Sequence, residues 1–94
     1  MISFIRTNDI VIGKIVGNLD KNSIANITTK TEIELSQDTS KIVLDFKEVD
    51  FIDNTGIGYI AYLLKRLHEV EIINCSPSIK RTITFCGLNS VNFD

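Results

Sequence analysis

The sequence contains no tryptophan, one proline, one histidine and two cysteines in 94 residues. One histidine and two cysteines are too few to close a zinc site, and no other metal set stands out. Cys75 and Cys86 could form a single disulfide. Nothing else in the chain reads as secreted, so both are expected as reduced, buried, small apolar side chains. No apolar run is long enough to cross a bilayer. The first ten residues, MISFIRTNDI, turn polar by Arg6 and do not form a signal-peptide pattern. Lysine and arginine number 10 against 12 aspartates and glutamates, a formal net charge of −2. With no basic patch, nucleic acid is excluded as a first-choice partner. Linkers, low-complexity segments and internal repeats are also missing. These absences leave one small cytoplasmic domain over residues 1–94, with no cofactor and no membrane insertion.

What is present can form a core: 44% of residues are hydrophobic and 23% charged, as in ordinary globular chains. In a chain this short the core is single and the stability modest. ISFIRTNDIVIGKIVGNLD reads as two strands with a turn at Thr7, Asn8 and Asp9. Asp20 or Asn22 can cap a helix over about residues 21–36. Propensity there argues for a strand, because Ile27, Thr29, Thr31, Ile33 and Leu35 alternate and many residues are β-branched. The unbroken polar-rich stretch without a turn glycine argues for a helix, which is the reading adopted.

KIVLDF carries a continuous apolar run, Ile42–Leu44, expected to be a central strand covered on both faces. After Asp53 the period changes. Ile57, Ile60, Ala61, Leu64 and Leu67 share one face of a helix, and Tyr59, Tyr62 and Arg66 fall on the opposite one. VEIINC reads as another buried strand. Ser76 as N-cap, Pro77 in the first helical position and Gly87 as the left-handed terminator frame a third helix. Val91–Phe93 reads as a short edge strand. The order β-β-α-β-α-β-α plus a last short segment predicts a mixed α/β sheet with helices packed on it.

At this point three motifs become recognisable together. IVLDFKEVDFIDNTGIGYIAYLLKRL resembles the core signature of STAS domains, as found in bacterial anti-sigma factor antagonists. Asp45, Asp53, Thr55, Gly56, Ile57 and Gly58 match that signature, with Asn54 where a serine is usual. Upstream, GNLD resembles the family's G-E-L-D turn through Gly17, Leu19 and Asp20. Downstream, NCSPSIKRTITFCGL resembles the family's third segment. The resemblance covers nearly the whole chain in the right order. It implies a small mixed sheet with helices mainly on one side. It also implies a function, namely binding of a partner protein, an anti-sigma factor or a Ser/Thr kinase of the switch-protein type. The resemblance further implies that phosphorylation of the hydroxyl residue before the glycine, here Thr55, controls that binding.

On its own residues this junction reads either as a plain helix cap followed by a tight-turn glycine or, with the resemblance, as a switch. Asp53, Asn54 and Thr55 can each accept from free amides of a first helical turn, and Gly56 permits a tight turn. A hydroxyl there projects into solvent, and a phosphate would face the positive end of the helix without melting it. With Glu48, Asp50 and Asp53 nearby, the added charge would repel an acidic or apolar docking surface. The partner surface expected from the sequence comprises Asp53, Asn54, Gly56, Gly58, Tyr59, Tyr62 and Arg66. Asp45 is expected either to cap the loop after its strand or to serve the phosphorylation site. Two other readings compete. One is a constitutive STAS-like subunit of a transport or sensory complex, never phosphorylated. The other is an enzyme, disfavoured by a single histidine and by the lack of a cysteine beside a base. Asp45, Asp50 and Asp53 could mimic the magnesium cluster of phospho-aspartate receivers, but no lysine sits on a late strand to complete it.

Overall fold

The computed structural model describes residues 1–94. Its elements are β1 (Ile2–Thr7), β2 (Ile10–Val16), α1 (Ile24–Glu34), β3 (Lys41–Glu48), α2 (Asn54–Arg66), β4 (Glu69–Ile73), α3 (Pro77–Phe85) and β5 (Asn92–Phe93). The order matches the sequence reading throughout. The five strands form one mixed sheet in the order β1-β2-β3-β4-β5. β1 and β2 are antiparallel, joined through Asn8, whose φ of 55° gives the turn its left-handed residue. The other neighbours are parallel. Each parallel crossover moves one strand along the sheet, so α1, α2 and α3 collect on one face.

That face is the core. Ile42, Leu44 and Phe46 of β3, Val70 and Ile72 of β4, and Val11 and Ile15 of β2 are buried under the helices. The alternate positions Lys41, Val43 and Asp45 are only half-buried, which corrects the expectation that β3 is covered on both faces. The apolar run at Ile42–Leu44 signals a central strand, but one-sided helix packing leaves its second face open. On that open face Val43 lies beside Ile12, which lies beside Ile5, and Lys41 pairs with Glu69 and Glu71 at 3.2 and 3.0 Å.

α1 is a helix despite its strand-like sequence. Ile27 and Thr31, one turn apart, are the buried pair, while Ile33 is 80% exposed. The threonines fit because their hydroxyls bond back one turn, Thr29 to the Ala25 carbonyl and Thr31 to the Ile27 carbonyl at 3.0 and 2.8 Å. Ser23 occupies the N-cap position without a side-chain cap. Asp20, one of the two expected caps, instead closes the preceding turn by accepting from the Asn22 and Ser23 amides at 3.0 and 3.2 Å. At the other end Arg6 of β1 donates to the Glu34 carbonyl, a cation at the helix C-terminus. α3 follows its sequence signature: Ser76 caps it, Pro77 opens it, and Gly87 at φ 84° follows its end. Both cysteines are unpaired. Cys75 is half-buried and Cys86 is exposed, a correction for Cys86, which lies beyond the last buried turn of α3.

Candidate functional site

β3 leads through residues 49–53 into α2, and this junction is built by three close contacts. Leu19 pairs with Ile52 in a single parallel bridge beyond the sheet. Leu19 donates its amide to the Phe51 carbonyl at 2.9 Å, and Asp53 donates to the Leu19 carbonyl at 3.2 Å. Asp53 is then the N-cap of α2, with extended backbone. Its Oδ1 accepts from the amides of Thr55 and Gly56 at 2.9 and 3.1 Å, and from the Thr55 hydroxyl at 2.6 Å. Its Oδ2 accepts from the Lys21 amide at 3.1 Å, which ties the turn before α1 to the start of α2. These donors, the Thr55 hydroxyl first, hold the Asp53 carboxyl below the usual carboxylate range. Asn54 and Thr55 are exposed.

The two glycines of the T-G-I-G sequence have different reasons to be there. A Cβ on Gly56 would stand 2.3 Å from the Leu19 carbonyl oxygen and 2.7 Å from Ile52, so the fold itself demands glycine. A Cβ on Gly58 would meet nothing within 4 Å, and its φ is not in the left-handed region. Gly58 therefore weakens an exposed helix without any internal need for it.

Tyr59 and Tyr62 correct the expected outward stripe. Tyr59 is 3% exposed, and its hydroxyl lies 2.8 Å from that of Thr31, linking α2 to α1. Burial pushes its pKa up to about 12. Tyr62 is half-buried, and its hydroxyl is hidden without a hydrogen-bond partner. Burial first, then Glu32 of α1, raises its pKa. The reason is packing: α2 is covered by the sheet on one side and by α1 on the next, so its buried arc is wider than one stripe. Arg66 is exposed as expected. Ile57 and Leu64, expected in the core, are only half-buried. Asn54, Gly58 and Lys65 form the exposed ridge, with Ala61 half-buried along it.

Asp45 lies at the end of β3, where its Oδ1 accepts from the Lys47 amide at 3.0 Å and from Asn74 Nδ2 at 3.1 Å. These bonds, the Lys47 amide first, lower its pKa. The geometry is that of a loop cap that also fastens β3 to β4, and Asp45 makes no hydrogen bond to Asp53 or Thr55. No three His, Cys, Asp or Glu side chains come together to hold a metal ion. The sequence reading passed over Phe51, which is 52% exposed in the loop just ahead of Asp53. Its signal lay in V-D-F-I-D: Val49 and Ile52 are buried, so the intervening aromatic had no core position left. The one surface groove opens along α3, lined by Pro77, Lys80, Arg81, Thr82, Thr84, Phe85 and Cys86, and contains none of these residues.

Comparison with known proteins agrees with this geometry. The chain is 25% identical over 87 residues to the anti-sigma F factor antagonist of Lysinibacillus sphaericus, spanning 87% of this chain and 74% of that one. The structure of the anti-sigma factor antagonist SpoIIAA in its unphosphorylated form superposes with a TM-score of 0.80 at 19% identity, over 100% of this chain and 87% of the other. The phosphorylated form of the Bacillus cell fate determinant SpoIIAA gives a TM-score of 0.76 at 21% identity, over 100% of this chain and 91% of that one. The family model of the STAS domain matches residues 1–93, and the chain belongs to that family.

Proposed function

We propose that this chain is an anti-sigma factor antagonist: it binds an anti-sigma factor or its kinase form, and phosphorylation of Thr55 releases it. The observation that carries the reading is the Thr55 hydroxyl, exposed at the N-terminus of α2 and fixed by Asp53 at 2.6 Å. The relative's name and the two forms of SpoIIAA support it. The unmodified protein presents a docking surface made of Phe51, Asp53, Asn54, Gly58 and Arg66. Tyr62 borders it, and Gly56 and Tyr59 shape it from within. Phe51 supplies the aromatic anchor typical of interface centres. Gly58 lets the partner approach the helix closely. A phosphate on Thr55 brings close to two negative charges into the middle of this surface, among Asp50 and Asp53. That suits a regulator acting by repulsion, not by catalysis, in the cytoplasm.

The test is affinity for an anti-sigma factor that binds the unmodified protein. Thr55→Glu should weaken binding at least tenfold, and Thr55→Ala should bind normally but take no phosphate by intact mass. Phe51→Ser should weaken binding while moving the Tm by less than a few degrees. Phosphate mapped to another residue, or none, would favour a constitutive STAS-type binding subunit instead.

A further inference from the structure

The sheet has two edges, and only one of them is blunted. β5 spans only Asn92–Phe93, too short to template another strand. β1 is six residues long and keeps an unbroken register with β2. ISFIRT holds no proline, glycine or lysine, and no bulge twists it away, so the usual guards of an edge are absent. Its one charge does not protect it either. The Arg6 guanidinium is turned onto the end of α1, where it donates to the Glu34 carbonyl and, at 3.3 Å, to the Thr39 hydroxyl. Met1 and Val16 exchange both of their backbone hydrogen bonds, at 3.0 and 2.9 Å. By alternation Ser3, Ile5 and Thr7 also bond inward to β2, and Ile2, Phe4 and Arg6 direct their amides and carbonyls outward. None of the backbone bonds made outside the helices and strands reaches those three residues.

We infer that β1 pairs antiparallel with β1 of a second copy across a two-fold axis, joining the two sheets edge to edge. Such a contact closes on itself, and the short β5 leaves no route to a head-to-tail chain of copies. Charge and burial choose the register. An axis through Arg6 would set two guanidinium-bearing residues opposite each other. An axis through Phe4 would need the backbone of Ile2, which is 4% exposed and already covered. With the axis at Ile5, Phe4 faces Arg6 of the second copy, and these outward-facing residues exchange both backbone bonds on each side of the axis. Ser3 then faces Thr7 of the second copy, and no like charges meet. Ile5 faces its own equivalent. It is 68% exposed and ends the apolar row Val43, Ile12, Ile5 on the open face of the sheet. The pairing makes that row continuous through both molecules and takes its most exposed member out of water. The contact uses none of Phe51, Asp53, Asn54, Gly58 and Arg66, so each copy keeps its proposed docking surface. One strand pair and one apolar row make less than a standard stable interface, so the dimer is weak and concentration-dependent.

Sedimentation of the whole chain from about 10 μM to about 1 mM, the range in which small interfaces assemble, reads the association. The wild type is expected to shift from monomer to dimer and no further. Ile5→Lys puts two like charges on the axis and should weaken the dimer at least about tenfold, while the exposed position leaves the Tm within a few degrees. Val43→Lys, on the same face but on β3, should dimerise as the wild type does. In proton–nitrogen NMR spectra of the wild type, raising the concentration should slow solvent exchange at the Phe4 and Arg6 amides. Ser3 and Ile5, already bonded to β2, should not change. A wild type that stays monomeric throughout overturns the inference, as does a dimer that survives Ile5→Lys. A dimer lost in Val43→Lys, with no added protection at Phe4 and Arg6, would mean that the open faces stack and would overturn it as well.

Discussion

Helix α2 follows β3 and helix α3 follows β4, and each starts with a capping side chain, Asp53 or Ser76, two residues ahead of a hydroxyl, Thr55 or Ser78. The local pattern is the same, but the setting is not. The side chain of Ser76 accepts from a single amide, that of Ile79, at 3.3 Å, and its hydroxyl lies 3.4 Å from that of Ser78. Asp53 accepts from four donors, one of them on a distant turn. No acid occurs between Cys75 and Phe93, and Lys80 and Arg81 follow the α3 start. The α2 start lies after Glu48, Asp50 and Asp53. If neutralising a phosphate were the purpose, α3 would be the better place for it. At α2 a phosphate would add to existing negative charge, as the proposed release of a partner by repulsion requires.

The strongest way to break this contrast is to disturb the keyed start. Gly56→Ala forces a Cβ against the Leu19 carbonyl, with an expected cost of about 3 kcal/mol, or a Tm lower by roughly 15 °C in a thermal melt. Removing the caps sharpens the comparison. Ser76→Ala should cost about 1 kcal/mol. Asp53→Ala should lower the Tm further, because three amides, one of them in the turn before α1, lose their acceptor together. Gly58→Ala should go the other way, stabilising the free protein by about 0.5–1 kcal/mol in urea unfolding while weakening partner binding. The smallest effect is in acid. The lowered pKa of Asp53 contributes stability that is present above the ordinary value of 3.8 and is lost as pH falls below it, through the folded value. Protection factors of the Thr55 and Gly56 amides, corrected for the intrinsic exchange rate at each pH, should therefore fall below about pH 4, whereas that of Ile79, held by the neutral Ser76, should not respond.

Much of this was legible from local chemistry. Ser76, Pro77 and Gly87 framed α3 correctly, since capping, the fixed proline φ and a left-handed terminator act within a few residues. The change of period after Asp53 located α2, and the three STAS motifs located Thr55. α1 was harder, because β-branched residues at alternating positions fit a strand or a helix equally until something covers one side. Tyr59 and Tyr62 could not be read at all. Helical spacing says which residues share a face, but not that α1 would pack beside α2 and bury a second arc. The sequence by itself determined the order of the elements and the caps of α2 and α3, because these depend on residues near one another in the chain. Tertiary structure alone decided that Gly56 must be glycine while Gly58 need not be, and that Asp53 reaches Lys21. Each of these depends on Leu19 and its turn arriving against the α2 start from more than thirty residues away, a contact that no local pattern encodes.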